Sequence, residues 1–363
     1  DVDVLPDRAQ MEARRDAGAG LTRPELAVVL AGVKRWLAAR VLESDIPDET
    51  ATRRFLVGAF PADVSSRFDS VLDRHPLRRE LIASGVVNGL VDRLGMTFVH
   101  RIAHDTATSP AEVVRASLVA EGMVGAEVWW GRMAEIRPGL LDDPDVPDAH
   151  QLVVDLCDQL TRAELLRASG RGDDIATRIA SERPVAVEVA AALRRHASID
   201  QRRGQTRRAQ SLVKTGWSED DAAALAVMAD LGNVHDLASL SRELDRSPRD
   251  LVKGYATLDD GLGLGRLART VSGLEFDDRW AQAAQAMVLD DLVRLGRDAV
   301  RTAVAAHRGL DAPGAIRQVL ADRSVEVAEA VRFCREAEVD PGAGLAGLAV
   351  AVRALERAVI TQP

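Results

Sequence analysis

Apolar residues recur every three to four positions along almost the whole chain, and strict alternation of apolar and polar residues is almost absent. The first pattern is typical of an α-helix with one buried face, and the second is typical of a half-buried strand. The sequence therefore predicts an all-α fold, a multi-helix array or bundle of short-to-medium helices joined by short turns. No fixed sequence period accompanies the pattern, so no named helical repeat is predicted.

The clearest helix of the first half covers residues 21–42. Thr22 is a preferred N-cap, Pro24 suits the first turn, and Glu25 stands three positions after Thr22, as in a capping box. The apolar positions that follow are spaced to form one stripe, which we expect to face a core. These positions are Leu26, Val29, Leu30, Val33 and Leu37.

Prolines and acidic residues concentrate in "RPGLLDDPDVPDAH", which makes this segment the best candidate for a break between subdomains. We predict a helical subdomain over residues 21–145 and a second helical subdomain over residues 146–363. The chain starts with "DVDVLPDRAQ" and no methionine, so we expect a piece of a longer protein. Residues 1–20 would then connect it to an upstream domain.

Composition narrows the range of functions. The 363 residues carry a formal net charge of −9, whereas a general nucleic-acid binder needs a basic surface that neutralises phosphates. Aromatic residues make up only 3%, too few for platforms that stack single strands. No apolar run approaches the roughly 18 residues of a membrane helix, and no signal-peptide pattern opens the chain. We expect a cytoplasmic chain without a nucleic-acid or membrane partner.

The two cysteines, Cys157 and Cys334, both lie in apolar, helical patterns. Such positions are typical of small buried thiols and not of a disulfide framework or a zinc site.

The stretch "LDDGLGLGRLART", residues 258–270, is a candidate nucleotide-binding loop, because three glycines alternate in it: Gly261, Gly263 and Gly265. A dinucleotide fingerprint needs G-x-G-x-x-G after a strand, but Arg266 occupies the sixth position and the preceding pattern is helical. A phosphate-binding P-loop is also excluded, because no Gly-Lys-Ser/Thr follows. We interpret the stretch as a helix end and turn in which glycine adopts a positive φ.

Two further groups of residues are candidates for chemistry. His100 and His104, in "HRIAH", share a helix face, but Arg101 stands where zinc proteases have a glutamate, which favours a polar helix face over a metal site. A basic cluster could bind phosphate, an acidic partner surface or nucleic acid, but a solvated turn between helices or a basic interface patch is favoured, because no aromatic residues are interleaved with it. Its members are Arg194, Arg195, Arg202, Arg203, Arg207 and Arg208. The residues alone indicate no catalytic residue, no cofactor-binding residue and no metal ligand.

Three long segments stand in one order along the chain: "LTRPELAVVLAGVK", "HPLRRELIASGVVNGLVDRLGMTFVHRIA" and "YATLDDGLGLGRLARTVSGLEFDDRWAQAAQAMVLDDL". Together they resemble the C-terminal region of the large NAD-specific glutamate dehydrogenases of bacteria, over about residues 20–310. The matching positions are Thr22, Arg23, Pro24, Glu25, His75, Pro76, Arg78, Arg79, Glu80, Asn88, Gly95, Thr97, Phe98, Tyr255, Leu262, Gly263, Leu264, Asp277 and Trp280. The chain departs from the family at Arg162-Ala163, where Arg-Trp is usual, and in the tail beyond residue 310.

The resemblance implies a parent enzyme that oxidises L-glutamate to 2-oxoglutarate and ammonia with NAD. Its substrate lysines, catalytic aspartate and dinucleotide fingerprint would lie upstream, so this helical region would be catalytically silent and would hold no cofactor itself. Its expected partners are its own catalytic domain and the other subunits of a homo-oligomer, a tetramer by resemblance. We expect a region that buttresses the coenzyme domain or supplies subunit contacts. The alternatives are an effector-sensing regulatory domain and, third, an independent nucleic-acid-binding adaptor.

Overall fold

The computed structural model of the chain describes residues 5–135, 149–168, 173–340 and 342–360. Within these ranges the chain forms α-helices and two short 3₁₀ helices, and the described residues contain no strand. The predicted all-α class is confirmed. Among the described residues, no helix combines the length and the apolar character needed to cross a bilayer.

The helices of the first part are α1 (Arg8–Asp16), α2 (Arg23–Leu42), η1 (Ile46–Asp48), η2 (Thr50–Thr52), α3 (Arg53–Gly58), α4 (Ala62–Leu72), α5 (Arg78–Leu94), α6 (Phe98–Thr106), α7 (Pro110–Val124), α8 (Ala126–Glu135), α9 (Ala149–Ala168) and α10 (Ile175–His196). Those of the second part are α11 (Ile199–Lys214), α12 (Glu219–Met228), α13 (Val234–Leu244), α14 (Pro248–Leu262), α15 (Leu264–Ser272), α16 (Arg279–Ala306), α17 (Ala312–Asp322), α18 (Ser324–Val339) and α19 (Gly344–Val359).

The chain divides into two compact units. Unit 1 comprises Asp1–Met123 and Cys157–Ala180, and unit 2 comprises Val124–Leu156 and Ser181–Pro363. The subdomain boundary predicted near residue 145 lies outside the described residues, so the division into 21–145 and 146–363 stays a prediction.

Helix α5 is the centre of unit 1, because α2, α3 and η1 all pack against it. Its buried face carries Val86, Val87 and Leu90, spaced as a helix facing a core requires. On the α3 side the backbones approach closely: a Cβ added at Gly85 would lie 2.9 Å from the Cβ of Phe55. Glycine is therefore needed at this crossing.

The stripe predicted on α2 is only partly covered. Leu37 is 1% exposed, as expected of a core residue, but Leu26 is 42% exposed. Val29, Leu30 and Val33 are half-buried. The prediction is therefore wrong for Leu26, because α5 covers only the C-terminal part of the stripe.

In unit 2, α14 packs against α17, α16 packs against α17 and α19, and α11 packs against α12. The α14–α17 crossing is close, since a Cβ added at Gly254 would lie 2.9 Å from the Cβ of Ala312. Helix starts follow local sequence signals: Ser218 and Ser247 each accept a hydrogen bond from the amide three residues on.

Candidate functional site

The glycine stretch forms the junction between α14 and α15. Gly263 alone separates the two helices, with φ +75°, and its N–H donates to the carbonyl oxygen of Asp259 at 2.7 Å. A left-handed glycine that ends a helix in this way is a common C-cap. The predicted helix end and turn is confirmed.

The acidic pair before the glycines holds the start of α11. The Asp259 carboxylate accepts a hydrogen bond from the Ser198 hydroxyl at 2.5 Å and another from the Gly265 N–H at 2.6 Å. The Asp260 carboxylate accepts one from the Ile199 N–H at 2.8 Å. Both carboxylates therefore satisfy backbone and cap groups at helix N-termini, where negative charge is favourable.

The other parts of the stretch also serve packing. A Cβ added at Gly261 would lie 2.7 Å from Cδ1 of Leu320 on α17, so no larger residue fits without rearrangement. Arg266, which breaks the dinucleotide pattern, donates from Nε to the Glu338 carboxylate on α18 at 2.8 Å. The stretch is thus a structural node that joins α11, α14, α15, α17 and α18.

The paired histidines of α6 lie on an exposed face. His100 and His104 are both exposed, and Nδ1 of His104 is 3.7 Å from the Asp105 carboxylate, which also binds Arg162 at 2.9 Å. Among the described residues, no group of three or more His, Cys, Asp or Glu side chains is placed to hold a metal ion.

Both cysteines are buried and unbridged, as their patterns predict. Burial raises the pKa of the Cys157 thiol, and it raises the pKa of Cys334 to about 11. Buried, protonated thiols are poor nucleophiles.

The predicted basic cluster is divided by helix geometry. Arg208 donates to the Ala226 carbonyl oxygen at 2.9 Å and to the Asp230 carboxylate at 2.7 Å, so it ties α11 to the end of α12. Arg202 donates to the Ala197 carbonyl oxygen at 3.0 Å, at the end of α10. These two arginines have structural partners inside the chain.

The remaining arginines of the cluster are exposed: Arg194, Arg195, Arg203 and Arg207. Next to Arg195, the Nε2 of His196 accepts a hydrogen bond from Arg249 Nε at 3.3 Å. Burial, with the nearby charges of Lys253, Arg249 and Arg195, lowers the pKa of His196. The structure therefore joins one end of the predicted cluster to basic residues of α14. An interface or phosphate-binding role for the cluster stays a prediction.

The family-like start of α2 is a hydrogen-bonded network around Glu25. Its carboxylate, on a residue 8% exposed, accepts the Thr22 N–H at 2.7 Å and Arg14 Nη1 at 2.8 Å. The hydrogen bond from Arg14, followed by those from Thr22, lowers the pKa of Glu25 to about 2. The network links α1 to the start of α2, while Pro24 stands in the first turn as predicted.

The His75–Glu80 block fixes the other end of α2. Arg79 donates from Nη2 to the carbonyl oxygens of Leu42 at 2.8 Å and Ser44 at 3.0 Å, and its Nη1 pairs with Asp48. Arg78 also pairs with Asp48, at 3.1 Å. Arg79 is therefore a C-cap for α2, held in place by a carboxylate on η1.

The other residues of the family-like blocks have mixed environments. His75 Nδ1 accepts the Leu77 N–H at 3.1 Å, whereas Pro76, Glu80, Asn88 and Thr97 are exposed. Phe98 is 1% exposed in the core, and Gly263 is the junction described above. Tyr255 is half-buried, and this burial raises the pKa of its hydroxyl group. Asp277 is exposed, and the cap of α16 is its neighbour Asp278, whose carboxylate accepts the Trp280 N–H at 2.9 Å. The Trp280 side chain is 72% exposed.

An apolar groove lies between α2, α5 and α6, and we refer to it as the α2 groove. Its volume is about 390 Å³, and its lining includes Gly32, Val33, Trp36, Gly95, Met96 and Val99. The Trp36 side chain stands at its edge, 43% exposed. Sequence reasoning missed this feature, since it treated the apolar residues of α2 as core and left Trp36 unassigned.

Comparison with known proteins identifies relatives of this chain. The family model described as "Glutamate dehydrogenase, C-terminal" matches residues 18–357. The NAD-specific glutamate dehydrogenase of Mycobacterium tuberculosis is 27% identical over 308 residues, which are 80% of this chain and 18% of that protein. Proteins of the same name from Halomonas elongata and Pseudomonas aeruginosa are 27% identical over 304 and 297 residues. The chain thus spans about 18% of the length of these relatives.

Proposed function

Since the chain belongs to the family of glutamate dehydrogenase C-terminal regions, we propose that it is the non-catalytic helical region of an NAD-specific glutamate dehydrogenase. The complete enzyme would convert L-glutamate, NAD and water to 2-oxoglutarate, ammonia and NADH. In it, this region would buttress the coenzyme domain and supply subunit contacts.

The uncovered apolar face of α2 is the observation that carries the proposal. Trp36 and Leu26 are each more than 40% exposed on a helix whose composition is apolar on most sides. A helix of that kind is normally buried. A region with a supporting role needs such a surface, because it must hold another part of the protein by packing.

The charged groups support the same proposal. The acids of the glycine junction cap α11, Arg79 caps α2, and Arg208 caps α12. Within the predicted basic cluster, Arg202 and Arg208 therefore contribute to the helical frame, whereas the other four arginines are exposed. A rigid frame is suited to constraining a neighbouring domain that opens and closes during turnover.

The experiment uses the full-length polypeptide with a protease site inserted immediately before Asp1. After cleavage, light scattering coupled to size-exclusion chromatography reports whether the two pieces remain together. We expect one species that contains both pieces and retains glutamate-dependent NADH formation. The isolated 363-residue piece is expected to give no NADH.

Separation of the two pieces at micromolar concentration would overturn the supporting role. A metabolite that raises the melting temperature of the isolated chain, with no association of the pieces, would favour the effector-sensing alternative. Salt-dependent binding of DNA or RNA by the isolated chain would favour the adaptor instead.

A further inference from the structure

Helix α2 has more apolar surface than unit 1 covers. Leu37 and Val41 are 1% and 0% exposed against α5, but Leu26 and Trp36 are 42% and 43% exposed. Between these two exposed side chains, Val28, Val29, Leu30 and Val33 are half-buried. The uncovered apolar surface of α2 therefore consists of Leu26, Trp36 and the half-buried residues that lie between them in the helix.

The α2 groove extends this surface inward. A Cβ added at Gly32 or at Gly95 would meet nothing within 4 Å, so the groove is open above both glycines. The Lys34 ammonium and the Asp92 carboxylate bind each other at 2.6 Å and hold α2 to α5. A cavity of about 390 Å³ with an apolar lining accepts one or two apolar side chains.

The start of the chain shares this lack of cover. Helix α1 buries none of its residues, and Met11 is 43% exposed. A second hollow of about 590 Å³ lies between α1 and the segment Gly18–Leu21. Apolar side chains are also exposed on other helices, such as Val71 on α4 and Met287 on α16, but the exposed residues of α2 lie beside a groove.

We propose that the apolar face of α2 and the α2 groove receive one or two aliphatic or aromatic side chains from the polypeptide that precedes residue 1 in the complete dehydrogenase. This inference rests on the proposed function and specifies the surface through which it acts. Two facts select this occupant: the relatives are more than five times as long as the matched region, and the family is the C-terminal one. The groove is lined mainly by aliphatic and aromatic side chains, with His100 as its one ionisable residue, which favours an apolar occupant over a small charged ligand.

The contact can be mapped with a photo-crosslinking amino acid, p-benzoylphenylalanine, in the full-length polypeptide with the protease site before Asp1. At position 36 it replaces one large aromatic side chain by another, and Trp280 on α16 provides a matched exposed position in unit 2. After irradiation and cleavage, we expect the variant at position 36 to leave the two pieces covalently joined on a denaturing gel. The variant at position 280 is expected to yield separate pieces.

A second test fills the groove. Gly32→Leu places a side chain where a Cβ has open space, within a helix that leucine favours over glycine. The matched control is Gly131→Leu on α8, another helical glycine with nothing within 4 Å of an added Cβ. We expect Gly32→Leu to raise the dissociation constant of the cleaved pieces at least tenfold, and Gly131→Leu to change it less than twofold. The melting temperature of the isolated chain must not fall in either variant.

The outcomes separate the two levels of the proposal. The pieces could remain associated while position 36 does not crosslink or while Gly32→Leu leaves their affinity unchanged. In either case the α2 groove is not the contact, and the supporting function stands. If the cleaved pieces of the unmodified protein separate, both the contact and the function are overturned.

Discussion

Replacement of Asp259 by alanine tests whether the glycine stretch is a structural node. The carboxylate accepts two hydrogen bonds, from the Gly265 N–H at 2.6 Å and from the Ser198 hydroxyl at 2.5 Å. Ser198 is 0% exposed, so water cannot easily replace the lost acceptor. Alanine is the better helix former at this position, hence any loss of stability comes from the carboxylate.

The magnitude follows from the charge on the acceptor. A hydrogen bond to a charged group contributes about 1.5–3 kcal/mol. If the Gly265 amide exchanges through local opening, the loss of its bond speeds that exchange by roughly 10- to 100-fold, at about 1.4 kcal/mol for each factor of ten. Asp259→Asn keeps an acceptor without the charge and is expected to show an intermediate acceleration.

Native-state hydrogen exchange measured by NMR provides a reciprocal control. Asp260 accepts only the Ile199 N–H among the hydrogen bonds of the described residues, at 2.8 Å. We expect Asp259→Ala to accelerate the Gly265 amide and spare Ile199, and Asp260→Ala to do the reverse. Equal acceleration of both amides in both variants, or an unchanged Gly265 amide in Asp259→Ala, would refute the reasoning.

Three further predictions concern the frame around α2 and α14. Arg79→Lys is expected to lower the free energy of unfolding by about 1.5–3 kcal/mol in thermal unfolding, because lysine lacks the forked guanidinium that reaches two carbonyl oxygens. Arg78→Lys alters only an ion pair and should lower the free energy of unfolding by less than about 1 kcal/mol. Gly254→Ala should lower the free energy of unfolding by about 1–3 kcal/mol, because the new Cβ would lie 2.9 Å from the Cβ of Ala312 and would push α14 away from α17. Gly32→Ala, in open space, should instead stabilise by about 0.5–1 kcal/mol. The depressed pKa of Glu25, about 2 against an ordinary 4.5, means that its contribution to stability is present above pH 4.5 and is lost as the pH falls towards 2. The protection factors of the amides at the start of α2, which are corrected for the intrinsic pH dependence of exchange, should fall over that range, and Glu25→Gln should abolish this fall.

Local features of the fold could be predicted from sequence because their partners lie within one helical turn. The caps at Ser218 and Ser247 and the end of α14 at Gly263 involve residues three or four positions apart. Period and cap residues determine such contacts almost independently of the rest of the fold. The all-α class follows from the same periodicity.

The long-range contacts could not be predicted in this way. Asp259 and Ser198 are 61 positions apart, and Arg79 and Leu42 are 37 apart, so only the packing of the helices brings them together. The basic cluster shows the converse. Arg202 and Arg208 are close in sequence, but residues six apart on a helix differ by about 240° around its axis, so each meets different neighbours.

On α2, the apolar periodicity of the sequence and the burial in the structure disagree. Apolar periodicity reflects the surroundings a helix has in the whole protein, whereas exposure in a partial chain reflects only the neighbours present. On α5 the two agree, and Val86 and Val87 are each 1% exposed. On α2 they disagree at Leu26, which is 42% exposed. Periodicity without burial, in a chain that spans 18% of its relatives' length, is the reason why we propose that α2 meets a neighbour in the remaining polypeptide.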